Sequence, residues 1–150
     1  MTQPAPYAIA AAKAAQAKWH IPASVSLAQW ALESGWGKKD LGCFNYFGMK
    51  CRAGKNDPFV LLPTREIIGG KGVIVQAKFR KFASAEDAFD AHAELLAAAP
   101  VYAPARAVLP DISAFANALT GRYATDPNYG KLLNSIIRGS NLTQYDSHVP

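Results

Sequence analysis

The sequence lacks any long uninterrupted apolar run. Lys, Gln, Pro or Gly interrupts every apolar stretch well before the roughly 18 residues needed to cross a bilayer. We therefore expect no membrane insertion. The Ala-rich start, residues 1–17, has no basic opening, and Lys13 and Gln16 interrupt its apolar stretch, so we expect no cleaved secretory signal.

Metal ligands are also scarce. The chain has two cysteines, Cys43 and Cys51, and no histidine lies between or beside them to complete a zinc site. The three histidines show no spacing suited to a metal or a catalytic triad: His20, His92 and His148. We expect no metal and no other cofactor. In an oxidising space a short disulfide between the two cysteines is the favoured reading, and two free thiols are the alternative.

The charge shows no concentration of one sign. Sixteen Lys and Arg against eleven Asp and Glu give a net charge of +5, which attracts polyanions such as nucleic acid, anionic lipid or an acidic polymer. The basic residues are scattered and match no nucleic-acid-binding motif, so we expect no direct binding to nucleic acid.

What is present indicates one mainly α domain of the α+β class over residues 1–150, which we expect to be a monomer. Helical spacing and cap signals predict helices at about residues 6–18, 22–36, 84–96, 111–121 and 126–137. Ser84 with Asp87, and Asp126 followed by Pro127, are the sharpest start signals. Residues after about Leu142 are expected to form a flexible tail.

Residues 57–82 change pattern. Apolar runs and alternation on either side of a Gly-rich turn at residues 69–72 predict a β-hairpin or small sheet. We expect this β-lobe to stand on the helical body, with a binding cleft between the two.

Glu33 is the residue whose surroundings best suit catalysis. It is predicted in the last turn of the second helix, where the partly negative helix end and nearby apolar side chains, including Trp36, disfavour ionisation. A carboxylic acid kept neutral near pH 6 to 7 can protonate a glycosidic oxygen. The alternative is an ordinary surface Glu on an amphipathic helix.

Four ordered motifs carry a resemblance to a known family. They are residues 31–37 (ALESGWG), 45–50 (NYFGMK), 77–80 (AKFR) and 123–129 (YATDPNY). Together they resemble the glucosaminidase family, glycoside hydrolase family 73, which includes autolysins, flagellar rod-cap hydrolases and phage wall-lytic enzymes. The resemblance implies a lysozyme-like helical fold with a β-lobe, and cleavage of the β-1,4 bond between N-acetylglucosamine and N-acetylmuramic acid in peptidoglycan.

The resemblance also implies roles for particular residues. Glu33 matches the catalytic acid, and Glu66 matches a second carboxylate in the β-lobe, with Asp57 as the fallback. Beside Arg65, Glu66 should stay ionised and could activate water; a solvated strand charge is the other reading. A route through the substrate's own 2-acetamido group also stays open.

Aromatic and amide side chains are expected around the acid. Tyr123 matches a family tyrosine at the site, where its phenol would orient the acetamido group. Asn45, Tyr46 and Phe47 are expected to form a cleft wall, because aromatic rings stack on sugar faces and amides pair with N-acetyl groups. Tyr129 and Trp36 complete the expected substrate-binding set, with Tyr129 as wall or core.

Two other readings remain for the activity. A muramidase or lytic transglycosylase could share the fold and the acid, and a non-catalytic wall-binding module could keep the cleft alone. The expected partner is the peptidoglycan glycan strand. Action in the periplasm or cell wall would then require delivery by phage lysis, a specialised secretion system or a fused carrier.

Overall fold

Helices dominate the architecture, and one hairpin stands apart from them. In the computed structural model, which describes residues 2–147, the chain forms six α-helices, two β-strands and two 3₁₀ turns. In chain order these are α1 Pro6–Trp19, α2 Ala23–Ser34, β1 Phe59–Ile68, β2 Lys71–Arg80, α3 Ala85–Ala98, a 3₁₀ turn Pro100–Tyr102, α4 Ala103–Arg106, α5 Ile112–Ala118, α6 Tyr129–Gly139 and a 3₁₀ turn Leu142–Tyr145. The predicted mainly α fold with a small β-lobe is confirmed.

Helix α2 lies at the centre of the body. Ten of its twelve residues are buried, and many of these are Ala or Ser, whose small side chains let neighbouring helices approach closely. Trp30 is fully buried and meets the ring of Phe89 on α3 at a centroid distance of 6.5 Å. The core therefore fixes α2 along most of its length, and with it the position of the side chains at its C-terminal end.

The N-terminus of α2 is capped by residues distant in sequence. Pro22 precedes the helix and provides no side-chain cap, so the free amides of the first turn need other acceptors. The Ala23 amide donates to Gln16 Oε1 at 3.2 Å, and the Ser24 amide donates to Asp146 Oδ1 at 2.7 Å. The Ser24 hydroxyl donates to the other oxygen of Asp146, also at 2.7 Å.

The segment that supplies Asp146 differs from the expected flexible tail. Leu142–Tyr145 forms a 3₁₀ turn, and Leu142 is fully buried against the body. The segment is ordered because one apolar side chain and one capping carboxylate attach it to α2. Residues 148–150, including His148, lie outside the described part of the chain.

The hairpin pairs along its whole length. Strands β1 and β2 are antiparallel, with register from Phe59 opposite Arg80 to Ile68 opposite Lys71. The turn is the two residues Gly69 and Gly70, narrower than the predicted 69–72, and both have positive φ (58° and 77°), as a tight primed turn requires. The predicted hairpin is confirmed, and no residue of either strand is fully buried.

The predicted N-cap of α3, Ser84, is confirmed, and of the two cap candidates at the start of α5, Asp111 and Ser113, the structure has Asp111. Ser84 Oγ accepts from the Asp87 amide at 3.1 Å, and Asp111 Oδ1 accepts from the Ala114 amide at 3.0 Å. In each case a side-chain oxygen satisfies an amide that the first turn leaves without a partner.

The predicted start of the last helix, with Asp126 as N-cap and Pro127 as the first helical residue, is wrong by two residues. Asp126 Oδ1 accepts from the Asn128 amide at 2.8 Å, and the Asp126 carbonyl accepts from the Tyr129 amide at 3.0 Å. Asp126 therefore closes a turn before the helix, and α6 begins at Tyr129.

The favoured disulfide is also wrong, because Cys43 and Cys51 are both free thiols. Cys43 Sγ lies 3.6 Å from the carbonyl oxygen of Arg80, and the Cys51 amide donates to the carbonyl of Lys78 at 3.0 Å. The two cysteines thus attach to different positions along β2. Within residues 2–147, no helix is long and apolar enough to cross a membrane.

Candidate active site

An open cavity of about 640 Å³ lies where the helical body meets the β-lobe. Glu33 enters it from the end of α2, and α3 supplies much of the opposite side. Its lining residues are Glu33, Phe47, Gly48, Met49, Lys50, Arg52, Arg80, Ala91, Glu94, Leu95, Ala98, Ala99, Tyr102, Tyr123 and Ala124. The size and the mixture of aromatic, aliphatic and charged side chains suit a small polar ligand such as a few sugar rings.

Glu33 occupies the last turn of α2, which ends at Gly35 in the left-handed conformation (φ 59°). Glu33 is an exposed residue, and its side chain lines the cavity. Burial raises the pKa of Glu33, and a hydrogen bond from Tyr129 partly offsets this rise. The result is a carboxyl group that holds its proton to higher pH than an ordinary Glu while it stays open to a ligand.

Tyr129 is the direct partner of this carboxyl group. Its hydroxyl donates to Glu33 Oε1 at 3.1 Å and accepts from Gln29 Nε2 at 2.9 Å. Burial raises the pKa of Tyr129, so the phenol stays protonated and keeps its donor. From the sequence Tyr129 was expected as cleft wall or core. In the structure its hydroxyl instead contacts the Glu33 carboxyl group. The two residues are 96 positions apart, so no local sequence pattern reveals this contact.

Tyr123 lies in the cavity lining, as the sequence predicts. Its ring stacks on that of Tyr129 at 5.8 Å with an interplanar angle of 15°. Burial raises the pKa of Tyr123, so its hydroxyl also stays protonated. Within residues 2–147 this hydroxyl has no hydrogen-bonding partner, which leaves it available to a ligand.

The expected wall at residues 45–47 divides into one lining residue and two supporting ones. Phe47 lines the cavity, and its ring stacks on buried His92 at 4.0 Å. Asn45 is 1% exposed, and its amide donates to the carbonyls of Met49 and Arg80, each at 2.9 Å. Tyr46 is also buried, and both side chains lie outside the cavity lining. Asn45 instead ties the segment to β2.

Trp36 also differs from expectation. It packs edge-on against Trp30, with ring centroids 6.0 Å apart, and does not line the cavity. The chain turns away after α2 because Gly35 and Trp36 both have positive φ. The aromatic surroundings of Glu33 come from the tyrosines at 123 and 129.

The two predicted second carboxylates lie outside the cavity lining. Glu66 on β1 pairs with Lys50 Nζ at 2.6 Å. Asp57 is held by Arg52, whose Nη2 lies 2.6 Å from Oδ1, and by Arg80 Nε at 3.6 Å. The hydrogen bond from Arg52 lowers the pKa of Asp57, so this carboxylate stays ionised and engaged.

Sequence reasoning missed Glu94, which lines the cavity from α3. The spacing of Ala91, Leu95 and Ala98 places them on one helix face with Glu94, and this is the signal that could have found it. Glu94 also interacts electrostatically with Arg52. The pKa of Arg52 is raised mainly by its hydrogen bond to Asp57 and further by the charge of Glu94. Among residues 2–147 no three His, Cys, Asp or Glu side chains come together to hold a metal ion.

Comparison with known proteins gives consistent matches over nearly the whole chain. A 135-residue match is 40% identical to an autolysin of Enterococcus faecalis and covers 83% of this chain and 18% of that protein. A probable N-acetylmuramidase of Lactococcus lactis is 41% identical over 133 residues, which are 82% of this chain and 30% of that protein. This chain therefore spans less than a third of either relative.

A solved structure is also similar. The catalytic domain of the autolysin Auto from Listeria monocytogenes superposes with a TM-score of 0.79 at 30% identity, covering 97% of this chain and 91% of that one. The model of the glucosaminidase family, described as mannosyl-glycoprotein endo-beta-N-acetylglucosaminidase, matches residues 9–142. The resemblance noted in the sequence is thereby confirmed, and the chain belongs to the glucosaminidase family of glycoside hydrolases.

Proposed function

We propose that this domain is an endo-β-N-acetylglucosaminidase that cleaves the β-1,4 bond between N-acetylglucosamine and N-acetylmuramic acid in peptidoglycan. The observation that carries the proposal is Glu33, a carboxyl group with a raised pKa that opens into a sugar-sized cavity and is hydrogen-bonded by Tyr129. Membership in the glucosaminidase family supports the same reaction.

Glu33 acts first as the general acid. Its proton passes to the glycosidic oxygen as the bond to the sugar C1 breaks, and the leaving sugar departs as an alcohol. The Tyr129 hydroxyl donates to the carboxylate that results and keeps it oriented. In the second step the same carboxylate takes a proton from the incoming water, which returns Glu33 to its starting form.

The group that stabilises C1 in the first step is assigned to the substrate's own 2-acetamido oxygen. It attacks C1 to form a cyclic oxazolinium ion, which water then opens. Tyr123 is suited to hold this acetamido group, since its hydroxyl is free for a ligand in the described part of the chain and lines the cavity. Phe47 offers an aromatic edge to the sugar ring.

The alternative assigns water activation to Glu66. It is less favoured because Glu66 is committed to Lys50 and lies outside the lining. Under the acetamido route, Glu66→Gln and Glu94→Gln each keep kcat within about tenfold of wild type. A loss of about 10² or more in either variant would assign the base to that residue.

The direct test is digestion of purified sacculi by wild type and Glu33→Gln. We expect the variant to lose about 10²- to 10⁴-fold in release of reducing sugars while its folding and strand binding persist. Glu86→Gln, an exposed Glu outside this cavity, is the matched control and should retain activity. Unchanged turnover in Glu33→Gln would eliminate the acid assignment.

Muramidase activity is the second candidate, because one relative is named as a probable N-acetylmuramidase. Mass spectrometry of the products separates the possibilities, because the proposed enzyme leaves N-acetylglucosamine at the reducing end. A muramidase leaves N-acetylmuramic acid there, and a lytic transglycosylase leaves a 1,6-anhydro end. Binding without any product would instead indicate a non-catalytic wall-binding module.

The proposed setting follows from the substrate. Peptidoglycan lies in the cell wall or periplasm, so we propose that the domain acts there as a monomer on glycan strands. We propose that the domain neither binds nucleic acid nor inserts into a membrane. Absence of any salt-sensitive retention on DNA would agree with it.

A further inference from the structure

A second cavity, of about 460 Å³, adjoins the first. It lies between the segment after Met49 and the base of the hairpin. Its lining residues are Lys50, Cys51, Arg52, Gly54, Lys55, Asn56, Asp57, Phe59 and Lys78. Because Lys50 and Arg52 line both cavities, a ligand that fills the first can extend into the second.

The second cavity is strongly basic. Four cationic side chains line it, and Asp57 is the one carboxylate among its lining residues. Asp57 is already engaged by Arg52 and Arg80, so it adds no free negative charge. The cavity therefore presents a positive potential directly beside the candidate active site.

Two of the four cations are not neutralised by an ion pair. Lys50 pairs with Glu66 and Arg52 with Asp57, whereas within residues 2–147 neither Lys55 nor Lys78 has a carboxylate partner. The Lys78 ammonium group sits 4.6 Å from the ring centroid of Phe59, which orients it without removing its charge. Two ammonium groups are thus available to an anion.

We propose that this second cavity binds the free carboxylates of the peptide that a peptidoglycan strand carries on alternate sugars. This inference rests on the proposed function, because it assumes a glycan strand in the first cavity. The peptide is covalently attached to that strand, and its carboxylates are the negative groups nearest the reacting bond. Lys55 and Lys78 form charge-assisted hydrogen bonds with them, so the domain prefers peptide-bearing glycan to bare glycan.

The test measures binding in a Glu33→Gln background, where no strand is consumed. Affinities for peptide-bearing strands and for strands freed of peptide are compared by calorimetry. We expect tighter binding to peptide-bearing strands, and we expect Lys55→Ala with Lys78→Ala to reduce that preference by about tenfold. Raising the salt concentration should reduce it as well.

The matched control removes two exposed lysines elsewhere, Lys13 on α1 and Lys131 on α6, neither of which lines these cavities. Lys13→Ala with Lys131→Ala has the same change in net charge and should keep the full preference. An equal preference in the Lys55 and Lys78 variant and in this control would overturn the proposal. The proposal would also be overturned if Lys55→Ala with Lys78→Ala weakened binding to a soluble polyglycerol phosphate but not to peptide-bearing strands. The cavity would then be assigned to phosphate groups.

The same proteins with an intact Glu33 separate this inference from the proposed function. If the protein with Lys55 and Lys78 intact cleaves both kinds of strand with no preference, the peptide subsite is wrong and the hydrolase proposal stands. If these proteins cleave neither but bind peptide-bearing strands more tightly through Lys55 and Lys78, the subsite stands and the hydrolase proposal is wrong.

Discussion

The helical body and the β-hairpin treat their apolar side chains in opposite ways. In the body Trp30, Phe89 and Phe115 are fully buried. On the hairpin Leu61 is 56% exposed, and Ile67 and Ile74 are each 69% exposed. The hairpin is held by its own ladder, by Asn45, by the hydrogen bond from the Cys51 amide to the Lys78 carbonyl and by ion pairs to the segment before it. An isolated hairpin of this kind is marginal in water, so its position depends on these few attachments.

This difference in burial means that the body and the hairpin contribute to the site in different ways. The body holds Glu33, Tyr129 and Tyr123 in a fixed arrangement through close packing. The hairpin and the segment before it supply charged side chains on an adaptable wall. In the proposed reaction, this division keeps Glu33 in place while the wall accommodates a substituted glycan.

The largest expected effect tests the packing side of this contrast. Phe89→Ala removes a fully buried ring that contacts Trp30, Tyr46 and Phe47. It should lower the free energy of unfolding by about 3–5 kcal/mol, measured by urea denaturation. Ile74→Ala on the hairpin is the control and should change it by less than about 0.5 kcal/mol. Similar losses in the two variants would contradict the contrast.

His92 should make the body sensitive to acid. It is fully buried beneath Phe47, neither ring nitrogen has a partner among residues 2–147, and burial lowers its pKa to about 3. Because the unfolded chain binds the proton from about pH 6.5 downward, stability should fall by on the order of 2 kcal/mol between pH 6.5 and 5.

His92→Phe should remove this component, since phenylalanine keeps the stacked ring and does not titrate. The measurement is the free energy of unfolding at several pH values. His20→Asn, which replaces an exposed imidazole at a left-handed helix end that asparagine tolerates, should leave the slope as in wild type. A slope that persists in His92→Phe would place its origin in other groups.

A single change at Asp57 should weaken one attachment of the β-lobe. Asp57→Asn removes the charge that holds Arg52 and Arg80. We expect the Arg52 amide, which donates to Asp57 Oδ2 at 2.9 Å, to exchange its hydrogen about tenfold faster while amides of α2 do not change. Glu66→Gln, a more exposed ion pair, is the comparison and should have a smaller effect. Faster exchange in α2 as well would mean that the lobe and body open together.

The smallest effect concerns the acid itself. Activity should fall as pH rises through the pKa of Glu33, because the protonated form is the donor. Tyr129→Phe removes a hydrogen bond that lowers this pKa, so the alkaline limb of the kcat profile should move to higher pH by up to about one unit. Tyr102→Phe changes another cavity tyrosine that does not contact Glu33, and its limb should stay in place. Movement of the Tyr129→Phe limb to lower pH would contradict the assigned cause.

Local signals in the sequence were enough to predict the main helices, the hairpin and the position of Glu33 at a helix end. Ser84 and Asp87 are three residues apart, and Gly69 and Gly70 are adjacent, so the cap and the turn could be predicted without the rest of the fold. Glu33 could be placed at a helix end because Gly35 lies two residues after it. In each case the interaction involves residues within one turn of each other.

Contacts between distant segments could not be predicted in the same way. The bond between Tyr129 and Glu33, the burial of Asn45 and the outward packing of Trp36 depend on which helix faces meet. Periodicity identifies an apolar face but does not identify its partner. Likewise, Cys43 and Cys51 are eight residues apart in the sequence, but this spacing does not show that they contact different residues of β2, Arg80 and Lys78.

Helix α2 carries Glu33 in its last turn, and the carboxylate of Asp146 caps its first turn. This helix thus connects the last described residues of the chain to Glu33. Shortening the protein to end before position 146 would leave an uncapped amide at the helix's other end and loosen its seating. A foreign module would be better joined after Ser147, where the helix's anchor stays intact.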